Sequence, residues 1–198
     1  MNRFPALRRL RILNVASALV ILAACGGGKD SPPPSVTATK LHYVNPPASG
    51  FRLEVDPATN DSAHLVLNLM GPSGTAASGV AFFLTSDATA VAWGSPGGAE
   101  PYAKAGSAFT LGAVPMFKSK LSQGTGDLQV GLFQTGAPAQ GLGSAPIVSL
   151  ALDLKTGTGL LAGTRVGLAP TVGKTSKYLD AQGTDQTISI GVGVLTAQ

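Results

Sequence analysis

Two histidines, His42 and His64, and one cysteine, Cys25, are the chain's only imidazole and thiol side chains, the groups that most readily act as base, nucleophile or transition-metal ligand near neutral pH. Nucleophilic catalysis needs a base beside the nucleophile. No Gly-x-Ser-x-Gly elbow occurs, and the serines fall in turn-like clusters where they are common anyway. A zinc site takes three or four ligands at short spacing, which two isolated histidines do not supply; His64 is expected on the polar face of a strand. Harder ligands are closer together. Asp56, Asn60 and Asp61 lie in one turn, and oxygens clustered this way can hold calcium. Asp180 and Asp185 form a looser second pair. Asx residues in turns also cap their own backbone, so both groups have a plain structural role as well. A glycan platform would use exposed aromatic faces, for which Tyr102, Tyr43 and Tyr178 are the candidates. The paired carboxylates of a glycosidase have no counterpart among acids scattered through turns. No catalytic residue is expected, and the chain reads as a non-enzyme.

Cys25 sits in a different context. Arg3, Arg8, Arg9 and Arg11 precede a short apolar run, Ile12 to Ala24, with no acid among them. A basic start, a short apolar core and small residues before a cut describe a secretory signal peptide. The run is shorter than the roughly 20 residues a membrane-spanning helix needs. Leu22-Ala23-Ala24-Cys25 resembles a bacterial lipobox. That resemblance implies cleavage before Cys25 and a diacylglycerol thioether on its sulfur, usually with a third, amide-linked chain. Two or more chains anchor a protein stably where one is marginal. A modified Cys25 leaves no thiol for a disulfide, so the fold must stand without one. In Gram-negative lipoproteins an Asp after the cysteine tends to retain the protein at the inner membrane. Gly26 stands there instead and points to the outer membrane.

The leader also explains the charge. The chain has 14 basic and 10 acidic residues. Removing the four leader arginines leaves the two signs balanced, with no Lys/Arg cluster after Cys25. The basic excess is a targeting signal, and nucleic acid is excluded as a partner. Three organisational segments follow: the leader (1–24), a lipidated Cys and Gly/Pro-rich tether (25–35), and one domain (36–198). Gly26 to Gly28 make the tether flexible and Pro32 to Pro34 extend it. Its residues reach up to roughly 30 Å from the lipid.

The domain reads as strands. Phe51, Leu53 and Val55 alternate with Arg52, Glu54 and Asp56. The same period holds at Leu65, Leu67 and Leu69; at Leu128, Val130 and Leu132; and at Val148, Leu150, Leu152 and Leu154. It recurs at Ile188, Ile190, Val192 and Val194. Such patterns put one face on a core and the other toward solvent. Val80 to Leu84 is apolar on both faces and predicts a central strand. Clusters of Gly, Pro, Asn, Asp and Ser separate the runs, so the fold class is all-β: an antiparallel jelly-roll sandwich of about nine strands. One stretch, Val114 to Gln123, carries a weak helical signal, with Met116, Phe117 and Leu121 spaced for one or two turns.

The order of segments resembles the cohesin-like β-sandwich of the dockerin and carbohydrate-binding-module superfamily. Gly79 to Trp93 looks like that family's strand, turn and following apolar pair, with Ser86-Asp87-Ala88 at the turn and Val91 and Trp93 as the pair. Asp127 to Leu154 looks like its middle pair of strands. Arg165 to Leu195 looks like its closing segment, with a turn at Asp180 to Gly183. The resemblance implies that Trp93 is core and that the module binds rather than catalyses. The exposed residues that set dockerin recognition find no match here.

The expectation is an outer-membrane lipoprotein, attached through lipid on Cys25 and needing no other cofactor. It presents a binding module for an envelope protein or a polysaccharide. The alternative is a structural subunit of an envelope or secretion assembly, paired at a sheet edge along Thr187 to Thr196; a secreted hydrolase is a distant third. A Cys25→Ala chain is expected to lose incorporation of labelled palmitate and to leave the membrane fraction. Retention of both would place the anchor elsewhere.

Overall fold

A computed structural model describes residues 35–112, 115–122 and 124–198. The leader, Cys25 and the tether up to Pro34 lie outside the described residues. Among the described residues the chain forms sixteen strands. In chain order they are β1 (Leu41–Val44), β2 (Phe51–Val55), β3 (His64–Met70), β4 (Ala76–Ser86), β5 (Val91–Gly94), β6 (Ala103–Ala105), β7 (Met116–Ser122) and β8 (Asp127–Phe133). Then follow β9 (Gln140–Gly141), β10 (Val148–Leu154), β11 (Arg165–Val166), β12 (Leu168–Pro170), β13 (Ser176–Asp180), β14 (Asp185–Ile188), β15 (Ile190–Gly191) and β16 (Val194–Ala197). The count exceeds nine because several long runs break into short pieces that change partners.

Two large sheets make the sandwich. One runs β15-β2-β3-β10-β5, with β6 also on β10; the other runs β14-β13-β4-β8-β7, with β9 and β12 also on β4. A three-stranded sheet, β1-β16-β11, adds Leu41, Tyr43, Val166 and Leu195 to the same core. Pairing is antiparallel except between β15 and β2. The inward positions are those the alternation marks: Leu53, Leu65, Leu67, Leu69, Leu150 and Leu152 from one sheet meet Val80, Phe82, Leu84, Leu128, Val130 and Leu132 from the other, all buried. Each such side chain contributes about 1.5–3 kcal/mol by leaving water. Trp93 is buried and its indole N–H donates to the Gly126 carbonyl at 2.8 Å, which satisfies the one polar atom the ring carries.

Three expectations change. The Val114 to Gln123 stretch is not helical where it is described. Met116–Ser122 is strand β7, paired with β8 along all seven residues. One or two helical turns are marginal alone, whereas Phe117, Ser119 and Leu121 share a face at strand period. The Thr187 to Thr196 run is not one edge strand either. Its pieces fall in all three sheets as β14, β15 and β16. At Gly193 the backbone is pressed onto β1: a Cβ there would lie 1.9 Å from the Val44 carbonyl oxygen. This contact shifts the phase, so Val194 is 39% exposed while Leu195 is buried. The third change is Tyr43, expected on the surface. Its alternation partner in β1 is Leu41, and both point into the core. The phenol accepts the Gly193 N–H at 2.6 Å and faces the Leu53 carbonyl. Burial pushes its pKa up, with the Gly193 N–H partly opposing.

Phe82 lies at the centre of β4 with no exposed surface. Replacing it with Ala is expected to destabilise the domain by about 3–5 kcal/mol. A urea melt showing a loss below 1 kcal/mol would mean the two layers are not packed through this ring.

Candidate functional site

The residues singled out for chemistry do not converge. Asp56 accepts the Ala58 N–H at 3.0 Å, and its carbonyl accepts the Thr59 N–H. Asn60 reaches across to β1 and binds both backbone groups of Tyr43. Asp61, at φ 63° the one non-glycine with positive φ among the described residues, pairs with His42 at 2.8 Å. The turn's oxygens therefore engage three separate partners. Asp180 accepts N–H groups from Gln182, Thr184 and Gln186 and closes the β13–β14 hairpin, which holds its carboxyl below the usual carboxylate range. Asp185 pairs with Lys177. His64 lies exposed at the start of β3, its ring 2.6 Å from Asp153 on β10. Among the described residues no three His, Cys, Asp or Glu side chains gather as a metal site would require.

The aromatic candidates are also occupied. Tyr178 is half-buried with its ring 5.4 Å from Phe51. Tyr102 packs against the core edge, and its N–H donates to the Ser119 hydroxyl.

What the sheets leave exposed differs between their outer faces. On the β3–β10 side three polar pairs, Arg52 with Glu54, Asn68 with Ser149 and His64 with Asp153, lie among the outward Val66, Met70 and Ala151. The outer face of the β4–β8 sheet is different. Its register lays out rows across the strands. One row carries Leu179, Gly79, Phe133 and Met116. The next carries Lys177, Ala81, Gly131 and Lys118, and a third carries Phe83, Gln129 and Lys120. The middle row has almost no side chain at its centre, so it is a shallow trough between Phe133 and Phe83. Phe133 lies down over Gly79, where a Cβ would fall 2.0 Å from its ring. Met116 at the rim is 63% exposed. Sequence reading missed Phe83, Phe133 and Met116. The available signal was phase: Phe133 falls on the polar side of the Leu128-Val130-Leu132 alternation.

At the end of this face the Glu100 carboxylate accepts the Ser119 backbone N–H at 2.8 Å and meets Lys118 at 3.0 Å. The Ser119 N–H chiefly, with Lys118 adding, holds the Glu100 carboxyl below its ordinary pKa.

No protein-family model matches the chain. No curated protein matches it either. Solved structures do. The sixth cohesin of scaffoldin B from Acetivibrio cellulolyticus, in complex with a mutant dockerin, superposes at TM-score 0.53 with 21% identity, covering 74% of this chain and 97% of that one. The second type II cohesin of the same organism's ScaA adaptor gives TM-score 0.55 at 11% identity, over 73% of this chain and 86% of the other. A type II cohesin from Bacteroides cellulosolvens gives 0.52 at 11%, over 72% and 99%. The fold is a cohesin-like β-sandwich.

A carboxyl whose pKa is lowered on folding adds stability above its unfolded value, and that stability is lost as pH falls through the folded value. Glu100→Ala is therefore expected to lower the urea midpoint at pH 7 and to match the parent chain once both are acidified below the folded-state pKa. An equal gap at both pH values would show that the carboxylate's charge is not what matters.

Proposed function

We propose that this protein is a non-catalytic protein-binding module, held at the outer membrane by lipid on Cys25, that takes its partner on the outer face of the β4–β8 sheet. The observation that carries the reading is the contrast between the two outer faces. One sets polar pairs among Val66 and Met70, and the other offers Phe83, Phe133 and Met116 beside a floor of Ala81 and Gly131, with Gly79 covered by the Phe133 ring. Aromatic and Met side chains around a bare floor suit the apolar centre of a protein interface, and the lysines suit its rim. The cohesin with a dockerin in its complex supports a protein as the partner. The anchor and its address rest on residues 22–26 of the sequence. A polysaccharide is the weaker ligand, because Tyr43, Tyr102 and Tyr178 are each buried or packed.

The test is capture of envelope proteins by the full chain. Phe83→Asp with Phe133→Asp is expected to lose a stoichiometric partner that an Asn68→Asp chain, altered on the opposite face, keeps. Equal capture by both variants, or retention of a polysaccharide in place of a protein, would overturn the assignment.

A further inference from the structure

Strand β7 ends the seven-stranded sheet, and among the described residues no strand is hydrogen-bonded to its second edge, although β6 passes near it. The Ser119 amide donates to Glu100, so it points away from β8. In an antiparallel ladder every second residue shares that direction. The N–H and C=O groups of Phe117 and Leu121 therefore also face the open edge, and no partner meets them among the described residues. The side chains divide by face. Phe117 and Leu121 lie half-buried on the inner side, against the core. Lys118 and Lys120 stand exposed on the outer side. Among the described residues the Glu100 to Tyr102 segment bonds to this edge at Ser119, and β6 follows it past β7. There a carboxylate holds the amide and a lysine at once.

A second copy of the chain does not suit this edge. Antiparallel self-pairing about Ser119 sets Lys118 opposite Lys120 twice. Shifting the register by two residues in total sets Lys118 against Lys118, or Lys120 against Lys120. Like charges directly opposite are destabilising, and lysines on an edge are a recognised guard against such pairing. The same lysines favour a strand of opposite charge.

We propose that the open edge of β7 is a strand-addition site for an extended segment of another protein that alternates carboxylates with aliphatic residues. Its carboxylates meet Lys118 and Lys120, and its aliphatic residues cover Phe117 and Leu121. Its backbone takes the outward amides of the edge. Glu100 fills the middle of the edge until the segment displaces it. This surface lies beside the face assigned above and does not need it.

The test uses the full chain and three synthetic seven-residue peptides with capped ends. One alternates Glu and Val, one alternates Lys and Val, and one has the first peptide's composition in two blocks. The Glu/Val alternation is expected to bind tighter than either control by about tenfold at low salt, and to weaken as salt rises. Hydrogen exchange should slow at the Phe117 and Leu121 amides. Glu100→Ala should tighten binding several-fold. A Lys118→Glu, Lys120→Glu chain should prefer the Lys/Val peptide, a reversal that simple misfolding cannot produce. Phe83→Asp with Phe133→Asp should leave peptide binding unchanged, which separates this edge from the face. Equal binding of the three peptides, protection confined to other strands, or a dimer formed through β7 would overturn the proposal.

Discussion

Two apolar layers meeting face to face, with nothing covalent to hold them, set the terms for this domain. The chain's single cysteine precedes it, so no disulfide can join the sheets. Every inward position on β3, β4, β8 and β10 therefore has to be filled by a side chain that gains from leaving water. The leucines of β3 and β10 against Phe82 and its neighbours on β4 and β8 meet that demand with no buried charge. Two polar groups that enter the interior bring partners, the Trp93 N–H a carbonyl and the Tyr43 phenol an amide, whereas the Ser86 hydroxyl, the Gln134 side-chain oxygen and the Thr171 hydroxyl are buried without one. An unpaired group there would cost about 1–3 kcal/mol.

With the inner faces committed to packing, the outer faces are free to differ. The β3–β10 sheet sets polar pairs among Val66, Met70 and Ala151 on its outer surface. The β4–β8 sheet places glycine and alanine at its centre and aromatic rings beside them. Small residues in a strand cost packing and order, so their concentration on one exposed face marks a place where something else can approach. The same sheet ends in a strand that carries Lys118 and Lys120 on its outer side and Glu100 against its Ser119 amide.

Fold class was legible from the period-two runs, because strand geometry alone converts alternation into an inside and an outside. Leu65 to Leu69 and Leu128 to Leu132 are examples. Phase changes were not legible. The run from Ile188 to Val194 looks continuous in sequence, but the contact of Gly193 with Val44 breaks it, and that contact joins residues far apart in the chain. Tyr43 failed for a related reason: a phenol reads as amphipathic until a specific amide is found to satisfy it. Met116 to Ser122 reads weakly as helix because its apolar residues are sparse, and only the ladder with β8 decides the matter.

The all-β class follows from the sequence itself, and so do the expectations of a leader, a lipid-bearing cysteine, a tether and balanced charge after them. They depend on local composition, or on a repeat of two that any strand obeys. Tertiary structure alone decided which off-phase residues gather. Phe83, Phe133 and Met116 become one surface because β4, β8 and β7 lie side by side in a fixed register. Glu100 becomes a cap because the chain returns across the sheet to Ser119. Register and chain crossing are non-local: they are set by the packing of the whole sandwich, and no window of sequence contains them.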